Sequence, residues 1–430
     1  MKYLIRYSSE VFLKSESSRK ELLSILKENF KKAFKNAKIQ MRRDMAIIES
    51  EEEISERLKN IFGIENFAKV HIEKFNSFDE LIEKAFNFFK ERVKDDFKVV
   101  CKRKGKHSFR SYDVERALGE KLSYVKRVNV REPKYIAYVD IVDDTVYFYD
   151  EKYSGYGGFP VSSQGKGLVL ISGGIDSAVA SFLSYKMGIR LNFLFFNLGG
   201  DSIFYAYNVY RFLEEKFGFT SKGKFYYLDF RPIILEIIRN VDDNYRNMVL
   251  KVFFYKFANE VAKKLKIDAI ITGESIGQVS TQTLKNISIL DKFSDVLILR
   301  PLITYRKEEI IKKAMEIGVF DICYKGKEYC AISKYSATPN AREESLFSYL
   351  ERINKEVLEE VRKSLKIIKE LKKEDISDKT YDILVDLDKI DIEEFLKNLD
   401  KLDKNKIYLL KCKNGQISSI LAKEMEKLGF

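Results

Sequence analysis

The sequence predicts a multidomain α/β protein: an α+β N-terminal region, a doubly wound parallel-sheet domain in the middle and a small C-terminal α/β segment. Three observations carry that reading. The chain has 430 residues, enough for about three cores at ~150 residues per domain. From Leu168 to Ile317 continuous apolar strands alternate with helical stretches, the pattern of a parallel sheet covered on both faces. One glycine-dense stretch, Gly155-Tyr-Gly-Gly-Phe-Pro160 with Gly165-Lys-Gly167, reads as a linker ahead of that pattern.

Residues 1–62 alternate short apolar strands with a lysine-rich amphipathic helix over Ser18–Phe34, a compact α+β module. Residues 63–154 form a second mixed module. Phe78–Val93 has helical spacing, Phe97–Cys101 reads as a strand and Tyr112–Leu122 as a helix, while Tyr135–Val142 and Val146–Tyr149 make a hairpin across Asp143-Asp144-Thr145. Residues 155–350 carry the alternating pattern: strands Leu168–Ile171, Leu191–Phe196, Phe225–Leu228, Ala269–Thr272 and Val296–Leu299, with helices Ala178–Met187, Phe204–Phe217, Asn244–Lys266 and Lys307–Ile317. A charged helical connector runs over Arg342–Lys373, and 351–377 is assigned to it as a linker. The tail, 378–430, reads as strand Tyr381–Val385, helix Ile392–Leu399, strand Lys406–Lys411 and helix Ile417–Leu428.

Composition excludes several classes. Apolar residues are 45% and charged residues 33%, which argues against wholesale disorder. No apolar run approaches the ~18 residues of a membrane span, and the start, Met1-Lys-Tyr-Leu-Ile-Arg-Tyr, lacks a signal peptide's apolar block. A cytoplasmic protein without membrane partners is expected. The net charge of +12 biases the chain toward anionic partners, nucleic acid among them. Four cysteines (Cys101, Cys323, Cys330, Cys412) and two histidines (His71, His107), with no C-x-x-C pair, argue against a disulfide scaffold or a tetrahedral zinc site. What remains is individual thiols used for chemistry.

The sharpest local signal is Leu168-Val-Leu-Ile-Ser172-Gly-Gly-Ile-Asp176-Ser177. A buried strand runs through Ser-Gly-Gly-x-Asp-Ser straight into a helix. The glycines let the backbone approach an anion, the hydroxyls can donate to its oxygens, and the helix N-terminus offers N–H groups and a positive dipole end. Such a loop suits a phosphate chain. It is not the Gly-x4-Gly-Lys-Ser/Thr loop, whose spacing the nearby Gly165-Lys166 does not meet.

Ser172–Ser177 resembles the pyrophosphate loop of the PP-loop ATPases, which adenylate a substrate and release pyrophosphate. That resemblance implies ATP as cosubstrate, with Asp176 either holding Mg2+ or shaping the loop. At that level amides, amino acids and tRNA bases all stay open. Lys102-Arg-Lys-Gly-Lys-His-Ser-Phe109 with Asp113-Val-Glu-Arg-Ala-Leu-Gly119 is similar to the core of THUMP RNA-binding domains. Thr272-Gly-Glu-Ser-Ile-Gly-Gln-Val-Ser-Thr-Gln282 and Leu299-Arg-Pro-Leu-Ile-Thr304 resemble the nucleotide-site segments of the tRNA 4-thiouridine synthetases, in which THUMP and PP-loop parts occur together. Glu10-Val-Phe-Leu-Lys14 and Leu58-Lys-Asn-Ile-Phe-Gly-Ile64 are similar to that family too, so the resemblance spans nearly the whole chain. It implies an N-terminal ferredoxin-like domain, then THUMP and PP-loop domains. Its nucleotide contacts map onto Leu170, Ile171, Ser172, Gly173, Gly174, Ser177, Phe195, Phe196, Gly273 and Gln282. Lys251 stands where relatives carry a contacting arginine, keeping the charge and losing the bidentate fork.

Two cysteines stand out. Cys330 matches the cysteine that the family presents beside the activated base, and Lys325 and Lys327 would favour its thiolate. Cys412 ends a strand before a short glycine loop and a helix, where successive N–H groups can cradle a thiolate or persulfide. Its segment resembles the active-site loop of rhodanese domains, in a shortened form of about fifty residues. The implied reaction adenylates the C4 oxygen of a tRNA uridine, delivers persulfide sulfur from Cys412, and closes a Cys330–Cys412 disulfide. A cysteine desulfurase would load Cys412, a sulfur-carrier protein of thiamine thiazole synthesis could draw on it, and a homodimer is the family expectation. Without C-x-x-C, no iron–sulfur cluster is expected.

Lys98 to Arg110 holds six cations and no acid: Lys98, Lys102, Arg103, Lys104, Lys106 and Arg110, with Phe109 and Tyr112 as stacking faces. Two rivals remain open. One is another PP-loop enzyme, either a thiolase for a different tRNA base or an amide-forming ligase. The other is a non-enzymatic RNA-binding or sulfur-carrier protein with a vestigial ATP site.

Overall fold

A computed structural model describes residues 1–323, 332–333, 337–371, 381–412 and 415–430. The chain divides into two compact units, Met1–Ser163 and Gln164–Phe430.

The first unit runs β1 (Lys2–Tyr7), α1 (Ser9–Phe12), α2 (Glu16–Ala33), β2 (Lys38–Met41), β3 (Met45–Glu49), α3 (Ser55–Lys59), β4 (Ile64–Lys69), β5 (His71–Lys74), α4 (Phe78–Phe89), β6 (Phe97–Lys104), α5 (Ser111–Ser123), β7 (Tyr135–Val142), β8 (Thr145–Tyr149) and β9 (Tyr153–Gly157). These strands form two sheets, ordered β2-β3-β1-β4-β9 and β5-β8-β7-β6. The acidic turn forms as expected, with Val142 paired to Thr145 and Asp143 at φ +51°. Helix α4 starts where Ser77 Oγ accepts the Glu80 N–H at 3.2 Å, an ordinary side-chain cap.

Two strands fall outside the boundaries drawn from sequence. β4, beyond residue 62, pairs with β1, and β9, in the stretch read as linker, pairs with β4. The glycines there serve close approach: a Cβ on Gly155 would lie 2.3 Å from the Ile64 carbonyl oxygen. Glycine density marks a crowded strand contact here as well as a change of domain.

The second unit runs β10 (Lys166–Leu170), α6 (Ile175–Lys186), β11 (Arg190–Asn197), α7 (Ser202–Leu213), β12 (Phe225–Asp229), α8 (Arg231–Asn240), α9 (Asp243–Leu265), β13 (Ala269–Ile271), α10 (Leu284–Asp291), β14 (Leu297–Leu299), α11 (Lys307–Ile317), α12 (Glu343–Glu351), α13 (Lys355–Lys363), β15 (Lys366–Ile368), β16 (Ile383–Asp386), α14 (Ile392–Lys397), β17 (Tyr408–Lys411) and α15 (Gln416–Lys427). Its main sheet is ordered β14-β13-β10-β11-β12-β15, parallel except for β15. The predicted doubly wound sheet is present.

Differences lie where local signals were weak. The connector is two helices rather than one. Asn354 starts the second by accepting the Glu356 N–H at 2.9 Å, and its end becomes β15, paired antiparallel with β12. Lysine-rich charge hid a three-residue edge strand. Helices α8 and α10, not foreseen, follow strand and loop without a glycine break.

The tail pairs β16 with β17 in parallel. Its Leu387, Leu396, Leu399, Ile417, Ile420, Leu421 and Met425 are buried in the same core as Ile233, Ile237 and Phe253 of α8 and α9. At about 25 cal/mol per Å² of apolar surface removed from water, seven such side chains make undocking costly. Among the described residues, no helix is long and apolar enough to cross a membrane.

Candidate active site

The chain steps from β10 to β11 on one side of the sheet and from β13 to β14 on the other, so the strand order reverses between the parallel neighbours β10 and β13, and the crevice outside their carboxyl ends is where such sheets bind ligands. The Ser172–Ser177 loop fills that position. Its hydroxyls organise the backbone. Ser177 Oγ accepts from the Ser172 N–H at 3.1 Å and lies 3.2 Å from the Gly174 carbonyl, while Ser172 Oγ accepts from the Gly174 N–H at 3.2 Å. A Cβ on Gly173 would lie 2.5 Å from Tyr205 Cβ, and one on Gly273 would lie 2.8 Å from the Asp176 carbonyl carbon. Both glycines are therefore required by close packing, at the loop and at the end of β13 opposite it.

Asp176 occupies the first turn of α6, where the dipole favours an anion. Its carboxylate is held by Lys307 Nζ at 2.8 and 3.0 Å and by Gln278 Nε2 at 2.9 Å. Neither partner was anticipated from sequence. Lys307 carried one signal: it is a cation in the first turn of α11, which the helix dipole disfavours unless an anion lies near.

The other expected nucleotide residues divide. Ile171 is buried at the strand end, and Leu170 packs half-buried against the core. Phe195 and Phe196 are buried, and the Phe196 ring packs on Phe230 and Phe254 with centroids 4.6 Å from each. Their rings belong to the core, which leaves only backbone for a nucleotide. Gln282 sits in a short turn, with its side-chain carbonyl accepting from the Ser275 N–H at 3.4 Å.

Lys251 reaches Glu274 Oε1 at 2.9 Å. Glu274 also accepts from Tyr255 OH at 2.5 Å and Arg300 Nε at 3.0 Å. Burial pushes its carboxyl up, but Lys251, Tyr255 and Arg300 outweigh that and hold it at about 2. This ion cluster lies one residue beyond Gly273 and fixes the chain that faces the loop.

Cys412 follows β17. Its Sγ lies 3.4 Å from the Ser418 backbone N and 3.4 Å from Ser418 Oγ, in the first turn of α15. A thiolate or persulfide there meets the Ser418 N–H and hydroxyl at a helix N-terminus. The tail docks on Gly199–Gly200 beyond the end of β11, the strand paired with β10. The Gly200 N–H donates to Ser419 Oγ at 3.1 Å. Gly199 has φ +97°, and a Cβ there would lie 2.3 Å from Ser419 Oγ. Lys423 pairs with Asp229, Arg239 with Glu424, and Lys427 with Glu360.

Cys330, Lys325 and Lys327 lie outside the described residues. Cys323 is buried, and so is Cys101, whose thiol burial pushes up to about 12. The Cys101 thiol therefore stays protonated near neutral pH.

In the first unit β6, at a sheet edge, carries the basic run from Lys98 to Lys104, and Lys106 and Arg110 follow in the loop before α5. Lys98 and Arg103 are half-buried, and Lys102, Lys104, Lys106 and Arg110 are exposed. Lys104 pairs with Asp44 at 3.1 Å, and Arg103 binds the Gly105 carbonyl and His107 Nδ1. The Phe109 ring is tied to Phe78 at 5.1 Å, so the stacking face expected of it is used internally, whereas Tyr112 is 68% exposed.

Among the described residues no group of three or more His, Cys, Asp or Glu could hold a metal ion. Asp176 is a single carboxylate at a phosphate loop. It fits Mg2+ carried in by a nucleotide whose phosphates supply the other oxygens.

Comparison with known proteins gives three family matches: Thiamine biosynthesis protein (ThiI) at residues 162–356, THUMP domain at 75–151, and ThiI ferredoxin-like domain at 2–68. A tRNA sulfurtransferase of Pectobacterium carotovorum subsp. carotovorum (strain PC1) is 33% identical, with 100% of this chain and 98% of that protein covered. One from Vibrio vulnificus (strain YJ016) is 32% identical over the same shares. Among solved structures, a 4-thiouridine synthetase–RNA complex with bound ATP matches with TM-score 0.76 and 26% identity, covering 85% of this chain and 98% of that one.

Proposed function

The chain belongs to the tRNA sulfurtransferase family, and from that premise we propose that it uses ATP to replace the C4 oxygen of a tRNA uridine with sulfur. The phosphate chain of ATP lies against the N–H groups of the Ser172–Ser177 loop. Asp176 would hold Mg2+, which, when bound, neutralises phosphate charge. Lys307 fixes the Asp176 carboxylate and adds a cation beside the leaving pyrophosphate. Lys251 bears on the nucleotide through its Glu274 pair.

The uridine C4 oxygen attacks the α-phosphorus, pyrophosphate leaves, and the N3 proton is lost, so that C4 carries AMP as a leaving group. The terminal persulfide sulfur on Cys412, loaded by a cysteine desulfurase, attacks C4 and expels AMP. The Cys330 thiolate then attacks Sγ of Cys412. The S–S bond breaks, its electron pair stays on the C4 sulfur, and a Cys330–Cys412 disulfide remains for an external dithiol to reduce. The same persulfide would supply the thiazole sulfur of thiamine, a second use favoured by the description of the matched family.

One observation carries this reading over a generic adenylating enzyme. The thiol of the tail meets the Ser418 N–H at the start of a helix that docks on Gly199–Gly200, just beyond β11, the strand paired with the β10 strand that runs into the phosphate loop. The test is incubation with ATP, unmodified tRNA, cysteine and a cysteine desulfurase, followed by nucleoside mass spectrometry. 4-Thiouridine is the expected product. Pyrophosphate exchange into ATP without sulfur reaching tRNA would overturn the assignment.

RNA binding falls to the basic edge of the first unit. Lys102, Lys106 and Arg110 are its exposed cations without a protein partner already described. Replacing all three with Ala is expected to flatten the slope of log affinity against log salt by about 2 to 3, at roughly 0.7–0.9 per phosphate contact. ATP affinity should not change. Anisotropy of labelled tRNA at several salt concentrations measures it, and an unaltered slope would remove these residues from the interface.

A further inference from the structure

Arg246 lies in the first turn of α9, 6% exposed. Its guanidinium makes five contacts. Nε donates to the Val241 carbonyl at 3.0 Å. Nη2 donates to the Ile238 carbonyl at 2.9 Å and Glu393 Oε1 at 2.7 Å, and Nη1 donates to the Ile332 carbonyl at 3.1 Å and Asp243 Oδ1 at 3.2 Å. Five N–H donors thus meet five acceptors.

Two of these contacts satisfy carbonyls at the end of α8, where a lysine or a water would do as well. The other long contacts need the planar fork. Glu393 is 147 residues away, in the first turn of α14 in the tail that carries Cys412. Ile332 is 86 residues away and two positions beyond Cys330. The neighbouring Ser333 Oγ binds the Asp243 carbonyl at 3.0 Å, which secures the same stretch to the same helix end. The ion pairs from Asp229, Arg239 and Glu360 all reach α15 instead.

We propose that Arg246 is a positioning residue for sulfur transfer, holding the Cys412 tail and the chain that leaves Cys330 to one helix end. The inference rests on the reading of those two cysteines as relay partners. Disulfide closure between distant thiols depends on their effective concentration, which a shared anchor raises and a lost one lowers. Arg246→Lys keeps the charge but cannot fork to both segments. Arg246→Met removes both contacts, and Glu393→Gln weakens only the tail contact at a half-buried residue outside the core, where the amide oxygen can still accept, so it leaves the core folded.

The experiment measures Cys330–Cys412 disulfide closure in the full chain under oxidised glutathione, alongside ATP affinity and ATP–pyrophosphate exchange. Closure is expected to slow by about tenfold to a hundredfold in Arg246→Met, the range a small misplacement costs. Glu393→Gln should slow it by about threefold, because the amide oxygen still accepts from Arg246 and only the carboxylate charge is lost, with Arg246→Lys between the two. ATP affinity and exchange should match the wild type in all three, which a merely structural lesion would not allow. Closure at the wild-type rate in both Arg246→Met and Glu393→Gln overturns the proposal. If the wild type itself closes no such disulfide, the relay fails, and amide exchange over Ile392–Lys397, the helix that carries Glu393, decides Arg246 separately. Faster exchange in Glu393→Gln supports the anchor, and unchanged exchange refutes it.

Discussion

Cys412→Ser is expected to abolish 4-thiouridine formation while ATP–pyrophosphate exchange continues at the native rate. A serine hydroxyl cannot carry a persulfide, and its far higher pKa leaves no nucleophile at neutral pH. The change is nearly isosteric, and the Ser418 N–H and hydroxyl that Sγ meets can also be met by a serine oxygen. The phosphate loop and its Asp176–Lys307 pair stay untouched. Loss of transfer by at least about three orders of magnitude in kcat, of the size seen when a catalytic nucleophile is removed, should thus appear with an intact adenylation half-reaction. Single-turnover thiolation and pyrophosphate exchange on the same preparation measure both. Full thiolation by Cys412→Ser would leave the tail a packing element and the enzyme a different kind of thiolase.

The second large effect is on stability. Glu274→Gln should destabilise the Gln164–Phe430 unit by about 3–5 kcal/mol, the cost of leaving buried cations without their anion. Lys251 and Arg300 both lose their carboxylate, and Arg300 keeps only Asp291 as an acid partner among the described residues. For a unit of this size that lowers the melting temperature by roughly 6–20 °C, at about 2–4 °C per kcal/mol. The pH dependence has a definite sign. The folded Glu274 carboxyl is held down at about 2, below the ordinary glutamate value of ~4.3. Its contribution is therefore complete above ~4.3 and disappears as pH falls through about 2. Wild type and variant should differ most near neutrality and converge in acid. Thermal unfolding at pH 7 and pH 3 tests this, and a difference below about 1 kcal/mol at pH 7 would show the cluster to be solvated.

Legibility followed the range of the physical cause. The Ser172–Ser177 loop was readable because a strand, two glycines, two hydroxyls and a helix start are contiguous, and each acts on its immediate neighbours. Alternating apolar strands likewise announced the parallel sheet. The basic run on β6 was visible as composition, but only the fold shows Lys104 paired with Asp44 and Phe109 turned into an aromatic cluster. Phe195 and Phe196 looked available at a strand end and prove to be core rings. β15 was missed because lysines around Ile367 and Ile368 imitate a solvated helix, whereas an edge strand needs only one buried side.

By itself the sequence determined the class of chemistry: a phosphate loop, a basic module, two thiols set in distinctive local sequence, and a family in which these occur together. Tertiary structure alone decided which groups meet. Lys307 reaches Asp176 across 131 residues, Lys251 faces Glu274, and the Cys412 tail docks on Gly199–Gly200 with Arg246 as its anchor. Periodicity states which face of an element is apolar and says nothing of which other element covers it. Charges paired across a hundred residues depend on that packing, because an ion pair needs its partner within about 4 Å and its desolvation offset by neighbours.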